Sequence, residues 1–273
     1  MKKVKIYLHY LIVQLKFYKM HYMISSEILS IIGPALLAGL IITITHAPLG
    51  IEVLKRGIIF IDLAVAQIAG LGLLVSNLYF NKDLPWLSQI TALLFALMAA
   101  FFFKIIESKI KSQQEAIIGV SFVLAASISI LLLADHPTGG EEIRHLLSGQ
   151  MLFISWNDVF IHLPIYLLIL VLWFLPINLN GIGFYVLFSL AITSSVQLVG
   201  VYVVFASLIL PALTALNTNN PYKAAWLSGL ISVLLGIILS VIFDLPAGPI
   251  LVVTYVFVTI FIVLIRKLNN SRI

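Results

Sequence analysis

The sequence contains no cysteine, which removes disulfides and thiolate metal sites and leaves any metal to carboxylate, imidazole or amide ligands. It is also poor in charge: 10% of its 273 residues are Asp, Glu, Lys or Arg, against about a quarter in a soluble domain. There is no G-x-x-x-x-G-K-[ST] phosphate loop, no G-x-S-x-G elbow and no H-E-x-x-H pair. The chain therefore does not read as an enzyme, and it does not hydrolyse nucleotide through a phosphate loop. Neither an arginine-dense voltage-sensing helix nor a T-V-G-Y-G filter occurs, and no clear internal repeat points to a secondary transporter built from inverted halves.

What the sequence has is hydrocarbon: 62% of it is hydrophobic. Apolar runs of bilayer-spanning length lie near 28–48, 58–80, 86–106, 116–134, 159–179, 182–199, 222–242 and 249–265, and Gly200 sets off a shorter one at 201–216. This predicts an all-α polytopic membrane protein with eight or nine transmembrane segments, one of them short. Pro211 is expected to break the short one. The division is a basic N-terminal segment (1–26), one transmembrane domain (27–268) and a short tail (269–273). The N-terminal segment carries Lys2, Lys3, Lys5, Lys16 and Lys19 with no acid before Glu27; it reads as an uncleaved interfacial helix, or alternatively as an additional span.

With nine segments, Lys55, Arg56, Lys104, Lys109, Lys111, Lys223, Arg266, Lys267 and Arg272 fall on one side. That is the bias of a cytoplasmic face, and it answers the net charge of +5 without nucleic acid. The other side then receives 81–86, 135–155 and 243–248.

Asp62 is the first candidate for function, because a carboxylate in an apolar stretch needs a cavity or a partner. Ala64, Ala66, Ala69, Gly70 and Gly72 around it permit close helix approach. Gln67, five residues on, points about 140° away on a straight helix. Thr193, Ser194, Ser195 and Gln197 add polar groups that must bond across helices or line water; helix packing and a translocation path are both open readings. On the outer side Asp135, His136, Glu141, Glu142 and His145 mix oxygen and imidazole groups suited to a divalent cation. With Asp62, His136, Glu141, Glu142 and His145 form the candidate metal set. His46 and His162 are expected at the membrane interface. The polar turn Leu216, Asn217, Thr218, Asn219, Asn220, Pro221, Tyr222 and Lys223 offers a handle for another subunit.

Five motifs in order carry a resemblance: LKRGIIFIDLAVAQIAGLG (54–72), QEAIIG (114–119), LLSGQMLFISWND (146–158), LVGVYVVFASLILPALTAL (198–216) and the D-L-P-x-G of Asp244 to Gly248. Their order resembles the permease subunit of zinc/manganese ATP-binding-cassette importers. The resemblance implies a homodimer in a bacterial cytoplasmic membrane, with two cytoplasmic ATPase subunits and an extracytoplasmic metal-binding protein. It implies a divalent metal ion (zinc, manganese or iron) as cargo and no resident cofactor. Asp62 takes the position of the family's intramembrane aspartate and 216–223 that of the ATPase contact. Two departures stand out: Ala66 occupies a position where many members carry histidine, and the basic loop is shortened to PINLNGIG (176–183). A proton-coupled transporter and a scaffold without flux are the rival readings.

Overall fold

The computed structural model describes residues 26–80, 85–137, 139–149, 151–175 and 181–270. The basic N-terminal segment up to residue 25, Lys82, residues 176–180 of the shortened loop and the last three residues lie outside them. A backbone in hydrocarbon must satisfy its own polar groups, and a helix does so within one segment. Among the described residues there are accordingly ten α-helices and no strand. In order they are α1 (Ser26–Arg56), α2 (Ile61–Tyr79), α3 (Pro85–Lys109), α4 (Gln114–Leu132), α5 (Gly139–Ser148), α6 (Trp156–Phe174), α7 (Ile182–Val199), α8 (Val201–Ala215), α9 (Pro221–Phe243) and α10 (Ala247–Asn270).

Eight of these are long and apolar enough to cross a membrane, and α8 is the shorter ninth apolar helix. At 15 residues it spans about 22 Å, less than a hydrocarbon core of about 30 Å. The division at Gly200 is as expected; the break at Pro211 is not, since α8 runs through it to Ala215. The first span also exceeds its expected end at 48, because α1 continues through Pro48 to Arg56. Proline at 48 deprives the Ile44 carbonyl of its helical donor, and the Trp226 indole N–H of α9 donates to that carbonyl at 3.0 Å. A side chain from a neighbouring helix thus takes over the lost backbone bond.

Helices α1, α2 and α7 form the interior, with 67%, 67% and 72% of their spanning windows buried. The short α8 packs among them, against α1, α2, α7, α9 and α10. Helices α3, α4, α6, α9 and α10 form an outer ring, of which α4 is the most exposed at 17% buried. Ile42, Phe103, Phe184, Phe188 and Tyr255 are among the largest side chains fully enclosed in the core.

The two ends of the bundle differ. At one, Arg56 pairs with Glu52 at 2.9 Å and Glu107 at 3.2 Å, Lys104 pairs with Glu107 at 2.7 Å, and the Arg56 guanidinium lies 4.2 Å from the Phe184 ring centre. This basic end joins α1, α3 and α7. At the opposite end three loops meet backbone against backbone. Gly149 (φ +61°) and Gly200 (φ +78°) touch so closely that a Cβ on either would collide with the other's segment, and a Cβ on Gly248 would strike the Ser148 carbonyl. Three separately recognised sequence motifs therefore end in one contact.

Candidate functional site

The contact of glycines floors one side of a cavity of about 660 Å³, room for roughly twenty waters. Its wall comes from α2 (Gly70, Leu74, Asn77), α3 (Gln89), α5 (Glu141, Glu142, Leu146), α6 (Asp158, His162) and α7 (Val196, Gln197). Among the described residues three acids line it and no lysine or arginine does. Such a wall concentrates cations.

Two of these side chains are fixed by their helix. Ser155 caps α6: its hydroxyl accepts the Asp158 N–H at 3.2 Å, while Asp158 Oδ2 accepts from the Ser155 N–H at 2.9 Å and from its hydroxyl at 2.7 Å. That reciprocal arrangement satisfies orphan donors at the helix start. One turn on, His162 is 7% exposed and its Nδ1 lies 2.8 Å from Ser194 Oγ of α7. Residues four apart share a helix face, so Asp158 and His162 present themselves together.

Behind His162 a buried polar chain continues into the bundle. Tyr166 Oη lies 2.8 Å from Ser195 Oγ, which is 2.9 Å from His46 Nε2, and His46 Nδ1 is 2.8 Å from Ser207 Oγ. The Ser207 hydroxyl sits 2.9 Å from the Val204 carbonyl, its final acceptor. This chain ties α1, α6, α7 and α8 together. It corrects the interfacial reading of both histidines: with α1 extended to Arg56, His46 lies well inside the span, and His162 faces the interior one turn beyond the α6 cap. The serine-rich stretch divides accordingly. Ser194 and Ser195 bond across helices, Gln197 lines the cavity, and Thr193 is buried with no partner for its hydroxyl among the described residues.

Asp62 is the second residue of α2, fully buried, and neither of its oxygens has a hydrogen-bond partner among the described residues. It stands at the basic end, where Glu115 of α4 accepts the Phe60 N–H at 3.1 Å. At 1.5 Å per residue it is about 22 Å along α2 from Asn77, which lines the cavity. The candidate metal set therefore does not assemble. Asp62 is a helix length from Glu141 and Glu142, and His136 lies beside Glu142 at 3.8 Å but not on the cavity wall. His145 falls on α5, with nothing described of its side chain. Among the described residues no three His, Asp or Glu side chains converge into a metal cluster. Gln67 lies elsewhere again, on a mostly apolar cavity of about 600 Å³ walled by α2, α4, α5, α8 and α10.

The sequence reading passed over Asp158 and His162 as a pair. Asp158 was legible only as the end of a motif, although the D-x-x-x-H spacing at 158–162 was the signal. The turn at 216–220 lies at the basic end, with Leu216, Asn217, Asn219, Asn220, Tyr222 and Lys223 exposed. Arg266 of α10 steadies it by donating to the Thr214 carbonyl at 2.8 Å and the Leu216 carbonyl at 3.3 Å.

The profile of the ABC 3 transport family matches residues 29–179 and 174–266. The chain belongs to the ABC 3 transport family. Similar relatives include the manganese transport system membrane protein MntC of Halalkalibacterium halodurans, 26% identical over 243 residues, or 80% of this chain and 82% of the relative. The high-affinity zinc uptake system membrane protein ZnuB of Haemophilus influenzae is 23% identical over 251 residues, 83% of this chain and 94% of the relative. Among solved structures, PsaBC from Streptococcus pneumoniae in complex with Fab shares the fold with a TM-score of 0.67 at 21% identity, covering 85% of this chain and 90% of the other. These ABC 3 relatives are of similar length, and the polytopic helical architecture agrees with membership.

Proposed function

We propose that this ABC 3 protein is the membrane permease subunit of an ATP-binding-cassette importer for a divalent metal ion, zinc, manganese or iron. The observation that carries the reading is the acid-lined cavity, with no lysine or arginine among the described residues of its wall, set over a bundle whose relatives are named for manganese transport and zinc uptake. The acidic end faces outward and receives the ion; the basic end faces the cytoplasm. Two copies form the pore, a metal-binding protein docks over Glu141 and Glu142, and ATPase subunits dock on Leu216–Lys223. Asp62, one from each copy, lowers the cost of a dehydrated cation on its way through. Its full enclosure within one copy means that this role requires a rearrangement of α2.

In the proton-coupled alternative Asp62 is the relay, yet no hydrogen bond among the described residues joins it to the buried polar chain that ends on the Val204 carbonyl. The deciding experiment is mild co-purification from the native membrane followed by reconstitution. A P-loop ATPase in equal amount, and metal uptake that needs ATP with the proton gradient dissipated, are expected. Recovery of the protein alone, with uptake abolished by an uncoupler, would reverse the assignment.

A further inference from the structure

We infer that Asp158 and His162 form a first station for a divalent cation inside the outward cavity, distinct from Asp62. The inference rests on the importer reading for its cargo but on its own geometry for the site. His162 is 7% exposed, lines the cavity, and has one nitrogen held by Ser194; Nε2 has no hydrogen bond among the described residues. In the tautomer whose Nδ1–H donates to Ser194, Nε2 turns a lone pair toward the cavity. A histidine whose second nitrogen is anchored in this way has the orientation of a metal ligand.

Asp158 supplies the partner. Both bonds from Ser155 fall on Oδ2, so Oδ1 is oriented by the cap and left available on the same wall. One carboxylate oxygen and one imidazole nitrogen suit Mn²⁺ or Zn²⁺. The remaining positions fall to water, for which the cavity has room, and Gln197 is an uncharged polar group on the wall from α7. Two protein ligands make a site that captures an ion and releases it readily, as a conduction step requires. Glu141 and Glu142 set the field of the cavity and are not needed as direct ligands.

The test uses the full chain in nanodiscs, titrated with Mn²⁺ and read by electron-spin echo modulation. One bound Mn²⁺ per chain with a directly coupled nitrogen is expected. His162→Gln should remove the nitrogen coupling and weaken binding at least tenfold, and Asp158→Asn should weaken it similarly while keeping an acceptor for Ser155. Persistence of the nitrogen coupling in His162→Gln, or no nitrogen-coupled ion in the unaltered protein, overturns the station. Should Asp158→Asn disturb the cap and the fold, the His162→Gln spectrum decides alone. ATP-driven uptake is measured separately with the assembled complex. Binding without such uptake keeps the station and removes the importer reading, whereas uptake without the bound ion does the reverse.

Discussion

Asp62 occupies a place in which a carboxylate has no hydrogen-bond partner among the described side chains and is favoured only by the amide N–H groups of its own helix start. A buried polar group without a partner costs about 1–3 kcal/mol, more when charged, so Asp62 is retained against stability. Asp62→Asn should therefore leave the melting temperature in detergent unchanged or raise it, while ATP-driven metal uptake falls at least tenfold. A fall in melting temperature together with uptake would make the residue structural. His46 presents the opposite case. Both of its nitrogens are bonded, to Ser195 and Ser207, and His46→Leu removes two buried hydrogen bonds at once. A loss of about 2 kcal/mol, seen as a lower thermal midpoint with normal membrane insertion, is the expected result.

At the level of elements, the joint between α7 and α8 is the most demanding piece of backbone. Gly200 combines φ +78° with contact against Gly149. Gly200→Ala should cost about 3 kcal/mol from the positive-φ backbone that only glycine adopts freely and the collision together, measured as thermal stability or as yield of folded protein. The helices themselves were legible because hydrocarbon thickness leaves few alternatives to a run of about twenty apolar residues. Gly200 was legible as a break for the same reason, since a run of some 35 residues needs one. Proline misled at 211, which read as a stop, yet in a bundle a neighbouring side chain can serve a carbonyl that proline frees, as Trp226 does for Pro48. The site was less readable than the fold. Asp62 and the outer acids were both singled out by charge, but which of them share a cavity depends on how α2, α5 and α6 pack, and periodicity within one helix carries no such information. His162 looked interfacial for the same reason.

At the scale of the whole molecule the two ends divide the work. Ion pairs among Arg56, Glu52, Glu107 and Lys104 brace the basic end, and the 216–220 turn stands out from it with Leu216 52% exposed. Leu216→Asp, with Lys223→Glu, should leave the permease folded and its Mn²⁺ binding unchanged, yet reduce co-purified ATPase at least fivefold on a quantitative gel. Equal recovery of the ATPase would place its contact elsewhere on the basic end. The aromatic cluster of Phe174, Tyr222 and Trp226, with ring centres 6.0 to 6.4 Å apart, borders that turn and gives α9 a rigid start beside it.

The last helix closes the bundle at both ends. Gly248 sits on the Ser148 carbonyl at one, and Arg266 holds the final carbonyls of α8 at the other. During synthesis, then, α5, α7 and α8 are in place before the piece that locks them has left the ribosome. Until α10 inserts, the Thr214 and Leu216 carbonyls lack their guanidinium and the Ser148 carbonyl lies open. A nascent chain stalled before residue 247 exposes both defects together, one on each side of the bilayer, where proteases that patrol either surface can find it.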